Sequence, residues 1–311
     1  NGTVRYEGIN RLGRSTSARW LPTWNVSGAW NAHEEPWFYR TFKNTLTHAT
    51  LKASYSLTGD KPAVTNSMVI IRAYNPWRPY SNDKESGLEI RDFANPELTY
   101  EKKHEFNVGL SLGFLNNRIN FDFDWYTRNN YDLIGPKRTT GVGGEIVKYA
   151  NVASMKSHGE EFTLSTRNII TKDFEWSTDF IYSHTHCEVT DFDSRNRVID
   201  LITGNGFTEK GYPYRSLFSM DFQGLNEYGL PTFINENGEK TVSDIDFQSY
   251  VTDHLKYEGP TDPTVTGSLG NVFRYKNWHL NVFITYAYGN VVRLDPTFAV
   301  SYSDLTAMPR E

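Results

Sequence analysis

A single cysteine, Cys187, stands in 311 residues. One thiol excludes an intrachain disulfide and any cysteine-rich metal centre. No run approaches the roughly 18 consecutive apolar residues that a membrane-spanning helix needs. Clusters of Lys and Arg are missing too. With a net charge of −5 and a pI near 5.9, a nucleic-acid binder is not expected, since such proteins present a basic patch. The chain opens on Asn1 without an initiator Met or a basic-then-apolar leader, so a mature product or a piece of something larger is expected. A mean hydropathy of −0.58 does not exclude a membrane. A β-barrel shows lipid only alternate residues and averages out as polar. What the sequence does have is aromatic side chains: 8 Trp, 19 Tyr and 19 Phe must be housed somewhere.

Their placement is periodic. From His104 to Ile134 every second side chain is apolar: Phe106, Val108, Leu110, Leu112 and Phe114, then, after Asn116-Asn117, Ile119, Phe121, Phe123 and Trp125. Between them stand Glu105, Asn107, Ser111, Asn120, Asp122 and Asp124. A strand sends successive side chains to opposite faces, so this is a hairpin with one greasy and one polar face. The same period marks 3–10, 20–31, 51–58, 161–169, 174–184 and a hairpin over 264–288 around Lys276-Asn277. The alternation gives roughly nine long strands and an all-β chain. Pro36 is placed to open a short helix in the 33–48 link. Short turns and long connections alternate, and the long ones fall at approximately 59–98, 135–150, 187–262 and 291–311.

A soluble sandwich also has one apolar face per strand. Three features favour an antiparallel transmembrane β-barrel. Several strands reach the roughly 9–11 residues that cross a bilayer at a tilt. Short turns on one side and long loops on the other are the habit of outer-membrane barrels. Trp20, Trp30, Trp125, Trp176 and Trp278 lie towards strand ends, where interfacial girdles sit. Because an open sheet edge cannot face lipid, about nine strands are expected to be part of a larger, closed barrel.

Chemistry-bearing motifs are few. Asp122 and Asp124 share a strand face, as a glycosidase pair would, but charged groups are the default lining of a barrel lumen. His184 and His186 share a face beside Cys187 without a third ligand at recognisable spacing. The segment Asp191 to Asn196 begins like a calcium loop, then lacks its Gly and Glu. Gly141 to Gly144 lacks the strand-then-helix setting of a phosphate cradle. No catalytic residue, metal site or cofactor is assigned. The composition most suited to ligand contact is Tyr74, Asn75, Trp77, Arg78 and Tyr80 in the second long loop. Aromatic rings pack on sugar C–H faces while Asn and Arg bond hydroxyls. Tyr212 and Tyr214, with Phe218 beside them, extend the same expectation to a later loop.

Trp20 to Glu35, Leu51 to Gly59, Asn95 to Lys102, Phe114 to Arg118, Tyr131 to Ile134, Asn151 to Phe162, Gly211 to Tyr214, Phe222 to Leu225, Asp262 to Gly267 and Tyr275 to Trp278 run in order along the chain. That series resembles the barrel of the SusC/RagA family of TonB-dependent outer-membrane transporters of Bacteroidetes. The resemblance implies that residues 1–311 are part of one 22-stranded barrel, with the plug domain and final strands outside this stretch. It further implies a SusD-like surface lipoprotein as partner and TonB acting through a plug. The substrate it implies is an oligosaccharide, or in some members a peptide. The competing expectations are a surface carbohydrate-binding β-protein without transport and a glycoside hydrolase using Asp122.

Overall fold

The computed structural model describes residues 1–42, 45–60, 67–75, 86–142, 147–204 and 206–294. The chain divides into two compact units. One comprises Asn1–Asn196, Thr208–Tyr214 and Pro263–Tyr288, the other Arg197–Phe207, Arg215–Asp262 and Gly289–Glu311.

In chain order the first unit holds β1 (Gly2–Gly8), α1 (Thr16–Arg19), β2 (Trp20–Asn31), α2 (Pro36–Phe42), β3 (Leu46–Asp60), β4 (Ile70–Tyr74) and β5 (Gly87–Asp92). It continues with β6 (Glu101–Phe114), β7 (Ile119–Arg138), β8 (Val147–Ile170) and β9 (Phe174–Phe192). The second unit holds α3 (Val198–Thr203), β10 (Ser216–Met220), β11 (Phe222–Leu225), β12 (Pro231–Ile234), β13 (Lys240–Thr241) and β14 (Leu255–Pro260). The chain then returns to the first unit as β15 (Val265–Tyr275) and β16 (Trp278–Tyr288).

Nine strands form one sheet in the order β1-β2-β3-β6-β7-β8-β9-β15-β16, every neighbouring pair antiparallel. They are the nine that alternation marks. The turns close where the sequence places them. Leu115, Asn116 and Asn117 sit at φ 51, 57 and 60, a left-handed region that Asn tolerates, and Lys276 does the same at φ 51. Pro36 opens α2 as expected. The chain turns at one end of the sheet between β2 and β3, β6 and β7, β8 and β9, and β15 and β16, and it leaves the other end after β1, β3, β7 and β9.

The strands are longer than their alternation. β8 starts at Val147, not Glu161, and β9 runs on to Phe192. The link expected over 135–150 is largely strand, with Gly135 paired to Ala150 and Arg138 to Val147. Within the expected 59–98 loop, β4 and β5 form a separate ribbon. At the long-loop end Leu12, Leu21, Leu98 and Tyr100 bury one another against Ile9 and Ile134. Backbone bonds from Gly13 N–H to Leu98 C=O (2.7 Å) and Ser67 N–H to Arg11 C=O (3.1 Å) tie these loops together.

The second unit has its own core of Val198, Leu201, Leu217 and Phe218. Its small meander β11-β12-β13 uses one turn twice. Asn226 Oδ1 accepts from the N–H groups of Tyr228 and Leu230, and Asn235 Oδ1 from those of Asn237 and Glu239. In the β10–β14 pair Ser219 Oγ donates to Glu258 at 2.6 Å, which with Lys256 holds that carboxyl below its usual range.

The register reveals how the apolar band crosses the large sheet. Trp24 pairs with Leu57, and the row continues through His104, Asn129 and Lys156 to Glu188. A row that begins on an indole thus ends on a carboxylate five strands later. On β9 the first aromatic of that face is Tyr182, six residues below Glu188, a drop of about 20 Å along the strand over about 24 Å of sheet. The band thus steps down relative to the hydrogen-bond rows from β2 to β9, the inclination that strand tilt in a closed transmembrane barrel produces. On β6 it spans Phe106 to Phe114, which at a strand tilt of about 40° gives about 21 Å of height, near the roughly 25 Å apolar belt of outer-membrane barrels. Phe106 and Ile284 are 38% and 55% exposed, so no two-layer core seals them.

This geometry sets a depth-dependent cost. Leu110→Arg, mid-band, is expected to destabilise the intact membrane protein by about 2–4 kcal/mol, and Leu57→Arg, at the band's upper margin, by about 0–1 kcal/mol. Denaturant titration in liposomes measures both, and equal costs would contradict a lipid-facing band.

Candidate functional site

The face opposite the apolar band is built from small and polar side chains. Across β3, β6, β7, β8 and β9 it presents Lys52, Ser111, Asp122, Asp124, Glu161, Ser165, Asp179 and Ser183, each set by the period of two. Serines orient its carboxylates. Ser111 Oγ donates to Asp122 at 2.6 Å and accepts from Lys52 Nζ at 3.1 Å. Ser165 donates to Asp179 at 2.7 Å and Ser183 to Glu161 at 3.5 Å. Asp122 and Asp124 therefore belong to a continuous polar wall rather than to an isolated pair in a cleft.

Higher on the same face Tyr126 is buried, its hydroxyl 2.9 Å from Thr185 Oγ1. Its ring lies over Gly159, where a Cβ would come within 2.6 Å of the hydroxyl and of the His184 carbonyl. The ring-over-glycine contact fixes the register of β7 against β8, as aromatic cover of a glycine does in sheets. Above the band, on the other face, His158 and His186 face each other with ring centroids 5.1 Å apart. His184 Nδ1 lies 3.3 Å from Glu160. Among the described residues no group of three or more His, Cys, Asp or Glu is arranged to hold a metal ion.

The loop residues expected to meet ligand fare differently. Tyr74 closes β4, exposed and opposite Gly87, and Asn75 is exposed beside it. Trp77, Arg78 and Tyr80 lie outside the described residues. Tyr212 is half-buried, its carbonyl accepting from the Val189 N–H at 2.9 Å at the far end of β9, and Tyr214 is half-exposed. Phe218, expected beside them as a contact, is 3% exposed and belongs to the second unit's core. The amphipathic run Ser216–Met220 pairs with β14, which turns that ring inward.

A sheet with one tilted apolar belt, a polar reverse face, short turns at one end and long loops at the other is a segment of an outer-membrane β-barrel wall. Comparison with known proteins agrees. No protein-family model matches the chain. It is 25% identical over 305 residues to TonB-dependent receptor P3 of Formosa agariphila, covering 93% of this chain and 30% of that protein. With TonB-dependent receptor SusC of Bacteroides thetaiotaomicron it shares 26% identity over 313 residues, 94% of this chain and 30% of that one. Its fold matches a chain in the structure of the RagAB peptide transporter with a TM-score of 0.74 at 24% identity, over 93% of this chain and 31% of that one. The chain is homologous to the SusC-type TonB-dependent receptors and shares the fold of their outer-membrane β-barrel. It spans about 30% of the length of the curated relatives it matches, and those relatives are named receptors, not enzymes.

Gly159→Ala is expected to destabilise the intact protein by about 1–3 kcal/mol, the usual range for overpacking. In a Tyr126→Ala background the same substitution is expected to cost less, because only the His184 carbonyl still crowds the new methyl. Chemical denaturation of the four proteins gives the coupling; additive costs would remove the ring-over-glycine contact as the cause.

Proposed function

We propose that this chain forms part of the wall and outer loops of a TonB-dependent importer, which takes up an oligosaccharide together with a SusD-like lipoprotein. The observation that carries the reading is the sheet's two-sidedness. The tilted apolar belt meets lipid, and the hydroxyl- and carboxylate-lined reverse face offers hydrogen bonds to a hydrated solute. The homology to SusC supports the import reading. Its energy comes from the proton-motive force, delivered by TonB to parts outside these residues. Tyr74, Asn75, Trp77, Arg78 and Tyr80, with Tyr212 and Tyr214, supply ring faces and polar tips on the outer loops where solute first arrives. A peptide is the second reading, favoured by the likeness to a protein described as a peptide transporter. Neither reading assigns catalysis to Asp122 or Asp124.

Uptake of labelled oligosaccharide or peptide by cells with and without the gene tests this directly. Uptake is expected to require the gene, to stop when a protonophore collapses the gradient, and to stop without TonB. Tyr74→Ala and Tyr214→Ala are each expected to raise the half-saturating concentration by about 2- to 10-fold, the worth of one ring contact. Gene-dependent uptake that survives the protonophore would contradict the reading.

A further inference from the structure

One cation on the polar face is built into place more firmly than its neighbours. Arg128 of β7 lies directly opposite Glu105 of β6. Its Nε donates to Glu105 Oε2 at 2.9 Å, and Lys103 Nζ lies 2.9 Å from the same oxygen. Two cations share one carboxylate, which leaves a positive charge in excess. The guanidinium carbon stands 4.0 Å from the centroid of the Tyr126 ring. That ring is itself immobilised, 4% exposed and locked between Thr185 and Gly159.

The guanidinium is thus held flat by an aromatic face and clamped at one corner by a carboxylate. Its two terminal nitrogens make no hydrogen bond to any described residue, and the side chain is 36% exposed. A planar fork held in this way matches a carboxylate through two parallel N–H···O bonds. The level fits arrival from outside. On β7 the apolar alternation ends at Trp125, giving way to Thr127 and Asn129, so Arg128 stands at the belt's upper margin, with Asp124 and Asp122 below it.

We propose that Arg128, flanked by Lys103, is a subsite for a carboxylate group of the incoming solute. The proposal rests on the importer reading and narrows its substrate class to acidic oligosaccharides or peptides with a free C-terminus. Calorimetric titration of the intact purified protein in detergent, without TonB or gradient, tests it with two matched pairs of probes. These are trigalacturonate against its methyl ester, and tetra-alanine against its C-terminal amide.

In one pair the acid is expected to bind at least about tenfold more tightly than its neutral partner, and which pair it is identifies the source of the carboxylate. Arg128→Gln is expected to abolish that preference. Arg128→Lys is expected to keep part of it, since an ammonium supplies the charge without the fork. Failure of the wild type to prefer either acid overturns the proposal, as does an Arg128→Gln protein that keeps the preference. Absence of acid binding combined with a lowered unfolding temperature in Arg128→Gln also overturns it, by showing that an acidic side chain of the protein itself occupies the fork. Heat-modifiable gel mobility checks each variant's barrel. Should Arg128→Gln misfold, the Lys variant decides: a preference reduced threefold or more supports the subsite, and an undiminished one overturns it. Failure of the import reading would show separately, as gradient-independent uptake with this binding intact.

Discussion

A strand that faces hydrocarbon must satisfy every main-chain N–H and C=O inside the protein, because lipid offers no partner and each orphan costs several kcal/mol. The nine-stranded sheet meets this demand through antiparallel pairing between every pair of neighbouring strands. Its register irregularities between neighbouring long strands are few, at Leu46/His48, Asn130/Leu133, Leu133/Ile134, Ser154/Met155 and Arg167/Ile169. Side-chain chemistry follows from that constraint. With the backbone satisfied in the plane of the sheet, one face is free to be mainly apolar and the other mainly polar.

The tilt links the belt to function. Rows of paired residues that begin on Trp24 and end on Glu188 make sense only if the solvent boundary cuts across the hydrogen bonds at an angle. Strand tilt in a closed barrel produces that angle and widens its interior. The same geometry brings Glu105, Arg128 and Tyr126 together at the belt's upper margin on the inner face. The wall thereby changes character with depth, from a clamped cation above to serine-held carboxylates below.

Much of this was legible in the sequence. Trp20–Asn31 and the hairpin of β15 and β16 are read residue by residue because lipid on one side and water on the other keep the period of two strict. The pattern fails where that contrast ends. Lys156, His158, His184, His186 and Glu188 lie above the belt, where both faces meet water, so the upper halves of β8 and β9 carry no alternation although they are paired throughout. The second unit escaped for a related reason. Its strands are two to six residues long, too short for periodicity to register. At the site, loop composition pointed to Tyr74 and Tyr214 and misplaced Phe218, whose burial depends on pairing with β14. Arg128 was missed because its meaning lies in the register. A Tyr and an Arg two residues apart on a polar strand face are the only local trace of the stack.

What solvates the apolar face decides whether this sheet is a barrel wall. Spin labels placed singly at positions 106 to 114 of the intact protein in liposomes, with Cys187 replaced by serine, measure this through collisions with oxygen and with a water-soluble nickel chelate. A strict alternation is expected. Labels at 106, 108, 110, 112 and 114 should collide with oxygen, most strongly near 110, and labels between them should not. Oxygen-poor, nickel-poor readings at 108, 110 and 112 would mean that protein covers that face, and would contradict a barrel wall.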